Sequence, residues 1–242
     1  MNLQLDDNVV IVTAASRGLG YATAHALAAE GARVVICSRS REAVESAAER
    51  IAGETGVEVL AGVADVTKSQ EIADLRDRAL ERFGRIDGLY ANAGGPPTGR
   101  FVTLAPEDWE AATQLTIQSA VELAYAVVPT MQSQDGGAIL ANTSITVRHP
   151  LDNLILSNSL RMAVVGLVKS LSIELGPDQI RVNAIAPGWT RTERVDAILE
   201  ARAADHKSTP AAEAEKIASE VPLRRMAEPE EYARVAAFLL SP

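Results

Sequence analysis

The first residues with chemical promise are Thr13-Ala14-Ala15-Ser16-Arg17-Gly18-Leu19-Gly20. They follow the apolar run 9–13 and lead into a helical pattern. A glycine-rich turn between strand and helix is a phosphate cradle. Backbone amides and the helix dipole converge on an anion, and Gly18 and Gly20 let it approach. A second group lies further along. Ser157 and Arg161 are four residues apart and share one helix face. A serine hydroxyl is a far weaker acid than a phenol, whose pKa is about 10, and a guanidinium does not titrate near neutrality. Neither can deliver a proton readily. His149, with Arg148, follows Ser144 on a loop and is the side chain most easily tuned to donate one. Standing before Pro150, it reads more readily as an ordinary polar loop residue. Asp152 and Asn153 are weaker candidates.

Strands and helices must hold these groups. Val- and Ile-rich runs at 9–13, 33–37, 57–62, 88–94, 138–144 and 181–187 are apolar almost throughout, as parallel strands buried on both faces are. Helical patterns fill 18–30, 40–52, 67–83, 106–133, 151–175 and 229–240. Gly31, Gly84 and Gly176 stand just past helix ends, where a left-handed residue is wanted. The alternation implies an α/β fold of Rossmann type, a doubly wound parallel sheet flanked by helices in one domain over 1–242. Its ligand crevice is expected at the carboxyl ends of the strands. Segment 188–228 interrupts the rhythm and reads as a lid over that crevice, or as a surface insertion.

The chain resembles the short-chain dehydrogenase/reductase (SDR) family, and within it the 3-oxoacyl-carrier-protein reductase branch, over about residues 8–241. The family's glycine turn is Thr-Gly-x-x-x-Gly-x-Gly. Here Ala14 replaces the first glycine, and its methyl narrows the turn's options without closing the cradle. Asp65-Val66 resembles the pair that contacts the adenine. Asn92-Ala93-Gly94 resembles the motif that braces the sheet beside the cofactor. Pro187-Gly188-Trp189-Thr190-Arg191-Thr192 resembles the segment that meets the nicotinamide end. An acidic residue after the second strand would favour NAD(H) by binding the adenosine ribose. That position holds Ser38, followed by Arg39, with Arg17 in the glycine loop. Either arginine alone reads as a solvated charge. As a pair they suit a phosphate, which favours NADP(H) and leaves NAD(H) possible.

The resemblance also implies a catalytic tetrad, and this one is degenerate. The carbonyl-polarising serine is Ser144. The acidic tyrosine falls on Ser157, the ribose-binding lysine on Arg161, and the water-holding asparagine on Thr116. Ala163 to Leu167 matches the family without a gap, which secures this register. Arg161 can keep the charge and the ribose hydrogen bonds. Loss of the tyrosine removes a general acid, which contributes about 10²–10⁴ in rate. Two activities follow: NADP(H)-dependent reduction of a ketone or acyl-carrier-protein 3-oxoacyl thioester, or NADP(H) binding without turnover.

A net charge of −9 argues against nucleic-acid binding. No run approaches the length of a membrane span, no signal peptide opens the chain, and Cys37 is the lone cysteine. A cytoplasmic location is therefore expected, with no metal and no membrane partner. The long helices at 106–133 and 151–175 correspond to a dimer interface in the family, so a homodimer or homotetramer is expected. Leu160, Val164, Leu167 and Leu171 are its candidate apolar positions, unless they face the sheet.

Overall fold

The computed structural model describes residues 2–242. Six parallel strands form one sheet in the order β3-β2-β1-β4-β5-β6. They are β1 (Val9–Val12), β2 (Arg33–Ser38), β3 (Val59–Val63), β4 (Gly88–Ala91), β5 (Gly137–Asn142) and β6 (Ile180–Ile185). The order reverses between β1 and β4, which opens the crevice beside the carboxyl ends of those two strands. This is the Rossmann-type sheet that the run of apolar segments implies.

Alternate strand residues point to opposite faces and build two cores. On one face Val9, Ile11, Val35, Leu89, Ile139 and Val182 pack against α3 (Ser69–Phe83), α5 (Ser119–Ser133) and α6 (Ile155–Glu174). On the other, Val10, Val12, Val34, Ile36 and Leu140 meet α1 (Gly18–Ala29), α2 (Arg41–Thr55) and α9 (Pro229–Leu240). Cys37 is buried in the first core, and burial pushes its thiol up to about 11. It is the small hydrophobe expected of it.

Several boundaries differ from expectation, each for a local reason. The helix expected over 106–133 is α4 (Pro106–Thr113) and α5 joined by a π turn, Gln114–Gln118. The extra residue in that turn cannot be read from hydrophobic period. α6 begins at Ile155, because Asn153 adopts φ 60° and breaks the helical path before it. Gly31 (φ 89°) and Gly84 (φ 74°) are left-handed as expected, but Gly176 is not. It opens a 3-10 turn, Gly176–Asp178, and the left-handed residue is Gln179 (φ 58°). α2 runs past 52 to Thr55, where Gly56 (φ 74°) stops it. Strands β4, β5 and β6 end two or three residues before the expected 94, 144 and 187. Those residues leave the sheet at its carboxyl edge. Within 188–228, α7 (Glu193–His206) and α8 (Pro210–Glu220) pack together over a small core of Leu199, Ile217 and Met226. No described helix is long and apolar enough to cross a membrane.

Candidate active site

The glycine turn is held from below by hydrogen bonds. Thr13 Oγ1 donates to the Asn92 carbonyl at 2.6 Å, and the Asn92 amide donates back to Thr13 Oγ1 at 2.9 Å. Asn92 Nδ2 reaches the Thr13 carbonyl at 3.2 Å. The Ala15 amide donates to the Cys37 carbonyl at 2.9 Å, which ties the turn to β2. Ala14 takes a left-handed conformation, φ 49°, which favours glycine. Gly20 packs so closely that a Cβ there would lie 2.3 Å from the Ala14 carbonyl oxygen. Gly18 is left-handed, φ 58°. The α1 N-terminus has no side-chain cap and no acidic residue in its first turn. Its free amides and bare backbone fit a dinucleotide pyrophosphate. Ser16 and Leu19 are half-buried in this turn.

At the other end of the crevice edge, Ser38 Oγ donates to the Ser40 carbonyl at 2.9 Å, and Ser40 caps α2. Arg17 and Arg39 are both exposed. Asp65 accepts from the Thr67 amide at 2.9 Å and the Thr67 hydroxyl at 2.8 Å. Burial pushes its carboxyl up, but the two Thr67 bonds and the charges of Arg39 and Lys68 together hold it below its usual range. Arg39 therefore lies within electrostatic reach of Asp65. Val66 is buried beside it, Ala93 is half-buried and Gly94 is exposed after β4.

Ser144 stands two residues past β5, and its Oγ accepts from the Thr146 amide at 3.2 Å. Its O–H has no protein acceptor among the described residues. Ser157 is buried and its Oγ lies 3.3 Å from Thr146 Oγ1. The hydroxyl thus turns toward Thr146, which links the two serines. One turn on, Arg161 is buried and donates from Nη1 to the Asn142 carbonyl at 2.8 Å. Burial depresses its pKa. Thr116 sits in the π turn with its buried Oγ1 unpartnered. Arg161, Thr116, Asn92 and Asn142 line one cavity of about 10 Å³, close to the size that admits a single water. A π turn at such a place is a recurrent device of functional sites. All four tetrad positions are therefore grouped, Ser144 with Ser157 and Arg161 with Thr116.

The proposed substitutes for the acid are not part of this group. His149 is exposed, and its backbone amide returns to the Ile145 carbonyl. Asp152 is exposed and paired with Arg100 at 2.8 Å, and Asn153 Nδ2 is 3.5 Å from Asp205. These pairs draw both side chains to the rim.

Pro187 and Gly188 follow β6, and the Pro187 carbonyl accepts from the Ile145 amide at 2.9 Å. Thr190 is buried, and Thr192 caps α7. Thr192 and Glu193 approach within 4 Å of where a Gly18 side chain would begin. A crevice of about 620 Å³ separates α7 and α8 from α1, lined by Gly18, Tyr21, Thr192, Asp196 and Met226. Ser144, Ser157 and Arg161 do not line it.

Four contributors had no sequence signal of their own. Asn142 Nδ2 donates to Asn92 Oδ1 at 2.8 Å and its Oδ1 accepts from Tyr232 at 2.9 Å. Tyr232 and Tyr90 share a hydrogen bond of 2.8 Å. Arg194 lies against Gly95 and donates to the Pro96 carbonyl at 2.6 Å.

A family model described as enoyl-(acyl carrier protein) reductase matches residues 13–242. Dehydrogenase/reductase SDR family member 4 of Oryctolagus cuniculus is 34% identical, over 98% of this chain and 88% of that protein. L-Sorbose reductase from Gluconobacter frateurii, solved with NADPH and L-sorbose, superposes with a TM-score of 0.94 at 31% identity. That match covers 100% of this chain and 92% of the other. A 7alpha-hydroxysteroid dehydrogenase, solved with NADH and 7-oxo glycochenodeoxycholic acid, gives 0.88 at 33%, covering 100% and 90%.

Proposed function

Because this chain belongs to the short-chain dehydrogenase/reductase family, we propose that it is an NADP(H)-dependent oxidoreductase that reduces a carbonyl, of the ketone or 3-oxoacyl thioester class. The observation that carries this reading is an uncapped glycine turn linked through Asn92 and Asn142 to the buried Arg161, with Ser144 two residues past the strand that ends at Asn142. NADPH held there would supply a hydride to the carbonyl carbon. The α1 amides receive the pyrophosphate, and Arg17 and Arg39 flank the adenosine 2′-phosphate. Asp65 and Val66 contact the adenine. Asn92, Ala93 and Gly94 would brace the nicotinamide end together with Pro187, Gly188, Thr190 and Thr192. Ser144 donates to the carbonyl oxygen. Arg161 would hold the ribose. The proton comes from water, because Ser157 is directed to Thr146 and does not ionise near neutrality. α7 and α8 form the lid, and their 620 Å³ gap from α1 is the space across which they close.

A second reading is NADP(H) binding without turnover. The inward-turned Ser157 favours it, since no side-chain acid stands in the tyrosine's place. An assay of NADPH oxidation against ketones, ketoses and 3-oxoacyl thioesters separates the two. Turnover above background with any of them supports reduction. Binding with none of them turned over supports the second reading.

The protein is also proposed to be a homodimer or homotetramer. Val164 packs into the core and Leu171 against it, so those two face inward. The exposed apolar residues of α5 and α6 are Tyr125, Met162 and Ile173 instead.

A further inference from the structure

Arg161 is only 8% exposed, yet it forms no ion pair among the described residues. Its one hydrogen bond among the described residues goes to a neutral carbonyl, that of Asn142. The ionisable groups that act on it are Tyr90, Arg194 and Tyr232. Burial raises both phenols, so neither offers a negative charge at neutral pH. Arg194 adds a second positive one. Burial lowers Arg161 as well, but a guanidinium keeps its proton throughout the ordinary pH range. One turn earlier Ser157 presents an aliphatic hydroxyl, which has no ionised form to compensate the charge. A buried charge lacking a counter-ion is a strained arrangement, and it discriminates strongly between ligands of different charge.

We propose that this uncompensated charge makes the site selective for the oxidation state of its cofactor, holding the reduced nicotinamide dinucleotide more tightly than the oxidised one. The inference rests on the cofactor reading above. The two forms differ by one charge: the reduced ring is neutral and the oxidised ring is a cation. Arg161 repels only the cation. At an effective dielectric of about 20, a ring cation held within about 10 Å of Arg161 would bind about tenfold more weakly than the neutral ring. The selectivity belongs to the nicotinamide end and is independent of the 2′-phosphate. With turnover, it drives the oxidised cofactor off after each reduction. Without turnover, it makes the chain a reader of the reduced pool.

The test is calorimetric titration with NADPH, NADP⁺, NADH and NAD⁺ at one ionic strength. Wild type is expected to prefer the reduced form by about tenfold or more within each pair. Ser157→Asp sets a carboxylate one helical turn from Arg161 and should bring both ratios near one. Arg161→Lys should keep the preference and Arg161→Met should lose it, which covers the case in which Ser157→Asp does not fold. Equal affinities for reduced and oxidised forms in wild type would overturn the inference alone. So would a ratio unchanged in folded Ser157→Asp or Arg161→Met. Failure of all four dinucleotides to bind would overturn the cofactor reading and the inference with it.

Discussion

Replacing Gly20 by alanine adds one methyl group at the point where α1 meets the glycine turn. The added Cβ would lie 2.3 Å from the Ala14 carbonyl oxygen, 2.9 Å from Ala15 Cα and 3.0 Å from the Ala14 carbonyl carbon. All three neighbours are backbone, so no side chain can swing away. The turn or the helix must shift, and overpacking of this kind costs about 1–3 kcal/mol. For a domain of this size that lowers Tm by about 2–12 °C. The shift falls on the amides assigned to the pyrophosphate. Losing one hydrogen bond to a charged group weakens binding by about tenfold or more. Gly53→Ala is the control, because nothing lies within 4 Å of a Cβ there and it sits inside α2. That variant should gain about 0.5–1 kcal/mol. Thermal melts and NADPH fluorescence titration read both quantities. If Gly20→Ala melts with wild type and binds NADPH within twofold, the turn is not the cradle described.

Arg39→Asp should reverse the dinucleotide preference from NADP(H) to NAD(H), measured by calorimetry, and an unchanged preference would remove Arg39 from the 2′-phosphate site. Ser157→Ala should leave cofactor affinity and any turnover nearly unchanged, with a stability loss of about 1 kcal/mol from the orphaned Thr146 hydroxyl. A large loss of turnover would show that Ser157 is the acid after all. Ser157→Tyr with Arg161→Lys and Thr116→Asn should create or raise ketone reduction, and a dead triple variant that still binds cofactor would mean a pocket shaped for another ligand. Light scattering should give a dimer or tetramer, and Ile173→Lys should weaken it if the exposed faces of α5 and α6 are the contact. Glu231, bridged to Arg225 at 2.6 and 2.7 Å, has its carboxyl held down to about 2, chiefly by that arginine. A depressed carboxylate stabilises above its unfolded pKa and loses that contribution as pH falls through the folded one. Glu231→Gln should therefore melt below wild type at pH 6, with the gap closing between about pH 4.5 and about pH 2.

The sheet was legible because a buried parallel strand has little freedom in composition. VVIV and RVVICS could hardly be anything else. The glycine turn was legible for a related reason: the close approach at Gly20 excludes every side chain. The π turn was not, since inserting one residue leaves the apolar spacing on either side intact. Nor was the role of Asn142 or Tyr232, which lie 90 residues apart and meet only when α9 docks against the sheet. Ser157 could be placed on the correct helix face from spacing alone. Its direction, toward Thr146, depends on the path of the loop after β5, and no local pattern encodes that path.

The polar chain from Tyr90 through Tyr232, Asn142 and Asn92 to Thr13 joins α9, β5, β4 and the glycine turn. Four of its five members are buried and the fifth, Asn142, is half-buried. Breaking any link strands a polar group away from solvent, so the links open together. The glycine turn is therefore expected in the last cooperative unit to unfold, although it is a loop by shape. Its Thr13, Ala15 and Asn92 amides should exchange with deuterium only as the whole molecule opens. The amides of α7 and α8, which pack over a small core separate from the two main ones, should exchange long before.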